Sequence, residues 1–336
     1  MSRVRIGVVG AGAWGKNHVR TVAGLAEAEL AAVCDMNPEV RDKLARQYPA
    51  TFVTDSVDEV LRRVDAVIVA TPAKTHADLG IRAVEAGIPT LIEKPFALTV
   101  QDAERLAELG ERRSVPLLVG HLLEYHPVVE RLRSMVQDKT MGELYYLYAQ
   151  RVNLGQIRPD ENALWSFGPH DVSVALFLLG EAPVTVTAQG HSYLQKGIED
   201  IVFLQMTFRS GVMAHVQMSW LDPHKERRLT VVGSKQMAVF DDMASREKLR
   251  IYDKGVARPE YRSYGESLTI REGDIFIPRL ANTEPLSAQL QHFIKVARGE
   301  ETPRADAKDG VRTVRVLAAA SRSLAQGGAP IPVEGV

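Results

Sequence analysis

Six residues near the start of the chain restrict its fold more than any other feature. Gly10-Ala11-Gly12-Ala13-Trp14-Gly15 is a Gly-x-Gly-x-x-Gly lying between a β-branched run, Val4–Val9, and a helical stretch, Lys16–Gly24. An acidic residue, Asp35, stands 20 positions past Gly15 at the end of a second apolar run, Leu30–Cys34. Gly10 permits a tight turn, Gly12 lets backbone approach a pyrophosphate, and Gly15 lets the helix pack against the sheet. The N–H groups of Ala13, Trp14 and the helix start then face the phosphates. Asp35 can accept hydrogen bonds from both hydroxyls of an adenosine ribose. Its charge repels a 2′-phosphate, and Met36 and Asn37 supply no arginine in its place, so NAD is expected over NADP.

Short apolar runs continue at Ala66–Ala70, Thr90–Ile92 and Leu117–Val119, with helical stretches around Glu39–Tyr48, Thr75–Ala86 and Thr99–Arg113 between them. That alternation predicts a doubly wound parallel sheet of Rossmann type with right-handed crossovers. After Gly120 the pattern changes. A helix near Pro127–Gln137 leads into strand candidates Leu144–Asn153, Val184–Gly190, Ile201–Phe208, Val212–Met218, Arg228–Val232 and Gln236–Phe240. Tight turns such as Arg209-Ser210-Gly211 make these antiparallel. A helix over Gly168–Leu179 interrupts them, and helices near Leu286–Arg298 and Asp306–Ala325 follow. The expectation is an α/β domain over 1–120 and an α+β domain over 121–336.

Composition excludes several functions. The chain has 336 residues, more than the roughly 250–300 at which one core stops growing. With 41 Lys+Arg against 42 Asp+Glu, nothing favours nucleic acid or an anionic membrane as partner. One cysteine, Cys34, makes no intrachain disulfide, so a cytoplasmic, reducing setting is expected, and no metal site is foreseen. No apolar run is long enough to span a bilayer. Arg3, Arg5 and the following apolar residues imitate a signal peptide, but the run is short and broken by glycine.

Strand ends of a parallel sheet line its ligand crevice, which makes Thr71 and Pro72 expected wall residues. His76 is read either as part of that wall or as a cap or exposed side chain. Glu93-Lys94-Pro95 follows the Thr90–Ile92 run, and a proline there, with a cis bond available to it, can aim Lys94 into the cleft.

Taken in order, the glycine motif, Thr71-Pro72 with His76, Glu93-Lys94-Pro95 and Gly168-Pro169-His170-Asp171 resemble the glucose–fructose oxidoreductase/inositol dehydrogenase (Gfo/Idh/MocA) family. The resemblance covers essentially the whole chain. It implies an NAD(P)-dependent sugar or cyclitol dehydrogenase whose second domain carries a large open sheet, commonly a homodimer or homotetramer interface. It places Lys94 at the lysine that contacts substrate near the nicotinamide and His170 at the acid/base histidine. Glu93 and Lys94 thereby border the cofactor. Many members carry an aspartate four residues before that histidine; here it is Ser166, which leaves a Lys94–His170 pair. An imidazole can take the proton of a secondary alcohol at neutral pH, and an ammonium can stabilise the oxygen as hydride leaves. The reverse assignment, lysine as base, stays open.

Substrate residues are sought in three places. Glu124 and Tyr125 follow the last Rossmann strand. In the Arg151–Asn162 loop, Arg151 and Arg158 suit phosphate or carboxylate, and Asn153 and Asn162 suit sugar hydroxyls. Trp165 opens the segment leading to His170. Trp220 reads as core, and His224-Lys225-Glu226-Arg227-Arg228 as a second polar patch. The Tyr125-His126-Pro127, Arg151–Asn162 and Trp165–Asp171 segments look most like members near nucleotide-sugar 3-dehydrogenases, which oxidise UDP-N-acetylglucosamine or its uronic acid. Rival readings are a cyclitol or aminoglycoside dehydrogenase and a catalytically silent NAD-binding sensor.

Overall fold

The computed structural model describes residues 2–257 and 269–335. The chain divides into two compact units, 1–125 with 283–314 and 126–282 with 315–336.

The first unit is built on a parallel sheet of β1 (Val4–Val9), β2 (Ala28–Cys34), β3 (Phe52–Thr54), β4 (Ala66–Val69), β5 (Thr90–Ile92) and β6 (Leu117–Val119). The strand order is β3-β2-β1-β4-β5-β6, reversing between β1 and β4. Helices α1 (Gly15–Gly24), α2 (Pro38–Gln47), α3 (Val57–Leu61), α4 (His76–Glu85) and α5 (Val100–Arg113) connect the strands. Side chains that satisfy free N–H groups define several starts: Asn37 accepts from Glu39 N ahead of α2, and Thr99 from Asp102 N ahead of α5. The strands bury most of both faces, which accounts for their nearly continuous apolar runs, broken in β1 only by the exposed Arg5. β3 and α3 are additions to the expected pattern.

Helix α8 (Pro285–Ala297) belongs to this unit, although a single cut near residue 120 assigns it to the second. Its Leu286, Leu290, Phe293, Ile294 and Val296 enter the same apolar cluster as Val19 and Val22 of α1 and Ile6 and Val8 of β1. The chain crosses back to the second unit inside α9 (Ala307–Ala325), between 314 and 315.

The second unit contains α6 (Pro127–Gln137), β7 (Leu144–Val152), α7 (Ala163–Leu179), β8 (Pro183–His191), β9 (Ile201–Phe208), β10 (Met213–Ser219), β11 (Glu226–Gly233), β12 (Met237–Asp241), β13 (Leu249–Ala257), β14 (Thr269–Phe276) and β15 (Ile331–Pro332). Its strands form one mostly antiparallel open sheet in the order β14-β13-β12-β11-β7-β10-β9-β8-β15. β7 does not pair with the next strand in sequence. It lies between β10, to which it is parallel, and β11, to which it is antiparallel. On one face Leu147, Ala149, Leu204, Val216 and Val231 are buried; on the other Tyr146, Tyr148, Phe203 and Met213 are exposed.

α7 starts five residues before the expected Gly168. Asn162 is its cap, accepting from Trp165 N, and Gly180 ends it in the left-handed region at φ 70°. Pro169 lies within the helix rather than opening it. No helix among the described residues is long and apolar enough to cross a membrane.

Phe293 is fully buried in the first unit's core. Phe293→Ala should cost about 3–5 kcal/mol, measured by denaturant unfolding. Loss confined to the unfolding of the second unit would contradict this placement.

Candidate functional site

In the first unit the site is built around the β1–α1 turn. Gly10 has φ 89°, and a Cβ there would sit 2.7 Å from the Ala70 carbonyl oxygen. A Cβ on Gly15 would overlap the Gly10 carbonyl oxygen, whereas at Gly12 nothing lies within 4 Å. The loop is therefore closed against the sheet at both ends and open in the middle. Helix α1 has no side-chain cap and no acidic residue in its first turn, which leaves its N-terminus suited to an anion. A pyrophosphate fits those donors.

Asp35 is held facing this turn. One carboxylate oxygen accepts from Ala11 N at 2.8 Å and the other from Asn37 N at 2.9 Å. Arg41, which sequence reasoning passed over, reaches the same loop. Its guanidinium donates to the Asp35 and Met36 carbonyls at 2.9 and 3.0 Å and pairs with Asp55 at 3.4 Å. Cys34 is buried before Asp35, and burial followed by the charge of Asp35 pushes its thiol up to about 11.

Glu93 is the hub of the cradle. Its Oε1 accepts from Trp14 Nε1 at 2.7 Å and lies 2.8 Å from His18 Nε2, while Oε2 accepts from Lys94 N at 3.1 Å. Burial alone would raise this carboxyl's pKa. The hydrogen bond and charge of His18, the charge of Lys94 and the Trp14 N–H hold it below the ordinary range. Trp14 itself remains 43% exposed at the mouth of the loop.

Lys94 and Pro95 are joined by a cis peptide bond. His76 is buried, with Nδ1 at 2.8 Å from the Pro95 carbonyl and Nε2 at 2.8 Å from that of Thr71. Its ring braces the ends of β4 and β5 and is not exposed, while its backbone N–H closes the Ala73–Thr75 turn by donating to the Ala73 carbonyl. Thr71 is linked through its hydroxyl to that of Thr75 at 2.7 Å, and Pro72 precedes this turn. Glu124 and Tyr125 are buried in the same unit: Glu124 pairs with His121 at 3.2 Å, and Tyr125 packs against His292 and beneath Arg304.

In the second unit His170 lies on α7, about two turns beyond Asn162, with Ser166 buried one turn before it. The polar residues expected to bind substrate are largely engaged with protein. Arg151 makes a buried bidentate pair with Asp171 at 2.6 and 3.0 Å. Arg158 pairs with Glu161 at 3.0 Å. Asn162 caps α7 and donates to Glu199 at 2.6 Å, and Trp165 donates to Ser321 at 3.0 Å. Asn153 donates its backbone N–H to Ser219. A buried carboxylate unmarked in the sequence, Asp200, accepts from Trp220 Nε1 at 2.5 Å and from Tyr193 and Leu194 N at 2.6 and 2.9 Å. Trp220 is core, as expected.

This arrangement is that of an NAD-binding oxidoreductase. Residues 4–121 match the oxidoreductase family with an NAD-binding Rossmann fold, and residues 129–239 match the GFO/IDH/MocA C-terminal domain. The chain belongs to this family. It is 30% identical over 327 residues to the UDP-N-acetylglucosamine 3-dehydrogenase of Acidithiobacillus ferrooxidans, covering 95% of this chain and 96% of the relative. It is 27% identical to an inositol 2-dehydrogenase of Rhizobium meliloti, over 96% and 97% of the two chains. A solved structure of the Acidithiobacillus enzyme superposes with a TM-score of 0.81, at 26% identity, covering 97% of this chain and 99% of that one.

Because Glu93 is ionised and buried in the folded chain, its depressed pKa contributes stability above the unfolded value of about 4.3. That contribution is lost as pH falls through the folded pKa. Glu93→Gln should cost about 1–3 kcal/mol near neutrality and should flatten the fall of stability below pH ~4.5, as read by melting temperature against pH.

Proposed function

We propose that this oxidoreductase uses NAD to oxidise a secondary ring hydroxyl, at C3, of a nucleotide-activated amino sugar such as UDP-N-acetylglucosamine or its uronic acid. The observation that carries the cofactor reading is the uncapped α1 N-terminus beside Asp35, with Glu93 tying that loop to Lys94. The substrate reading is supported by the 30% identity to a UDP-N-acetylglucosamine 3-dehydrogenase along nearly the full length. When bound, NAD supplies the hydride acceptor. Asp35 holds the adenosine ribose hydroxyls and disfavours a 2′-phosphate, and Arg41, occupied by two carbonyls and Asp55, does not replace it.

His170 takes the hydroxyl proton, and Lys94 donates to the oxygen as charge builds on it. Glu93 Oε2 accepts from the Lys94 backbone N–H and holds that residue in place for the donor role, with the imidazole as the base. Thr71 and Pro72 would form the wall beside the nicotinamide, and Asn153 and Trp165, neither of them fully buried, the substrate end. The exposed sheet face bearing Tyr146, Tyr148, Phe203 and Met213 joins copies of the chain into a homodimer or homotetramer. The setting is cytoplasmic.

A second reading, oxidation of an uncharged cyclitol, is favoured by one observation: Arg151 and Arg158 are both neutralised by acidic partners. Incubation with NAD⁺ and a panel of UDP-sugars, cyclitols and aminoglycosides, followed at the NADH absorbance band, separates the two. Turnover restricted to cyclitols would overturn the nucleotide-sugar reading. Lys94→Ala and His170→Ala should each lower kcat by about two orders of magnitude or more; near-normal turnover in both would reject their roles. Asp35→Ser should narrow the preference for NAD⁺ over NADP⁺ by about tenfold in kcat/KM, the scale of one lost charge interaction. On light scattering, Tyr148→Asp should reduce the assembly to smaller species.

A further inference from the structure

The antiparallel register of β7 and β11 sets Arg151 directly opposite Arg227. Opposed residues in a sheet project from the same face. On this face Arg151 turns to α7 and is neutralised by Asp171, the residue after His170. Arg227 has the same facing and is accessible to solvent, but among the described residues no side-chain hydrogen bond or ion pair engages it. Its neighbours in sequence do not help. Glu226 and Arg228 project from the opposite face, where Arg228 lies 3.5 Å from Asp241.

The surrounding charges leave a deficit. Two carboxylates act on Arg227 from a distance, Asp171 and Asp242. Asp171 is taken by Arg151, and Asp242 accepts from Lys248 Nζ at 2.7 Å. Both carboxylates are therefore claimed by other groups, Asp242 being approached by His126 as well at 3.6 Å, and neither forms an ion pair with Arg227. Partial desolvation, then the like charge of Arg151, push the Arg227 guanidinium below its ordinary pKa. A bound anion relieves both effects, and a guanidinium fork suits two oxygens of one phosphate or carboxylate.

We propose that Arg227 anchors an anionic oxygen group, phosphate or carboxylate, carried by the sugar substrate, with the Arg151–Asp171 pair holding the floor of that subsite. The proposal deepens the dehydrogenase reading and rests on it. Arg151 serves as a positioning residue, and discrimination between charged and uncharged sugars falls to Arg227.

The test compares wild type, Arg227→Met, Arg227→Lys and Lys225→Met, the last removing a nearby exposed cation from the preceding loop. Steady-state KM is measured with UDP-N-acetylglucosamine, N-acetylglucosamine 1-phosphate, UDP-N-acetylglucosaminuronate and myo-inositol. Calorimetric titration with UDP and with glucuronate reads binding without turnover. Arg227→Met should raise KM for the anionic substrates about tenfold or more, with kcat within about threefold and KM for NAD⁺ and myo-inositol unchanged. Arg227→Lys should recover part of the loss, and Lys225→Met should behave as wild type. Loss with the sugar phosphate and UDP identifies phosphate as the anchored group; loss confined to the uronate and glucuronate identifies carboxylate. Unchanged KM for every anionic substrate, with wild-type turnover intact, overturns the anchor and leaves the dehydrogenase reading standing. If the wild type oxidises none of these compounds, the dehydrogenase reading fails. In that case equal binding of UDP and glucuronate by wild type and Arg227→Met, or no binding by either, overturns the anchor as well.

Discussion

What the first unit can offer a ligand depends on a carboxylate withdrawn from water. Burying an ionised glutamate is costly unless its oxygens are matched by donors. Glu93 finds them in Trp14 of the glycine loop, His18 in the second turn of α1, and the backbone N–H of Lys94. The donors come from two segments some 75 residues apart, counted from His18 to Glu93, so satisfying the charge also fixes the loop against the end of β5. Gly120 completes the fit, because a Cβ at that position would lie 2.9 Å from Glu93 Oε2. The pyrophosphate cradle and the backbone of Lys94 are thus parts of one hydrogen-bonded assembly.

The Rossmann half was legible because burial on both faces writes each strand as a continuous apolar run. β1, β2, β4, β5 and β6 all declare themselves this way. β3 and α3 do not, since three and five residues are too few to show a period. At α7 the Gly168-Pro169 pair imitated a helix start, while the cap that sets it, Asn162, was one polar residue among several in its loop. α8 shows a different limit. Its pattern reveals that one face is buried, but the core that receives it is fixed only when Phe293 meets the α1 cluster. β13 and the edge strand β14 carry Arg250, Lys254, Arg271 and Glu272 among their apolar residues, which hides them from a search for alternation.

The site divides along a similar line. Glycine loop, Asp35 and Lys94 were legible because backbone geometry and a fixed spacing demand them. Asn162, Arg151 and His76 were visible only as polar types, and such a residue serves equally as ligand donor or internal brace. Contact decides between those roles: two carbonyls claim His76, a helix N-terminus claims Asn162, and Asp171 claims Arg151. The Arg151–Arg227 pair was invisible for a topological reason. β7 pairs with strands that arrive some 60 or more residues later, with α7, β8 and β9 intervening, so no local pattern records the juxtaposition.

Near-neutrality of the whole chain gives that juxtaposition its weight. With 41 basic and 42 acidic side chains, and a screening length of about 8–10 Å in physiological salt, no long-range field draws an anion to the second unit. Attraction must come from an imbalance within a few ångströms. The basic groups near Arg227 contribute none, because each has a carboxylate of its own: Arg151 has Asp171 and Lys248 has Asp242. A cluster paired throughout would present α7 with dipoles rather than charge. Leaving Arg227 unmatched keeps one full charge there, held by the sheet instead of by a flexible loop, and partial desolvation spares it some of the screening that weakens exposed pairs. Selectivity for an anionic sugar then depends on a single guanidinium whose position is fixed by strand register, and composition carries no trace of it.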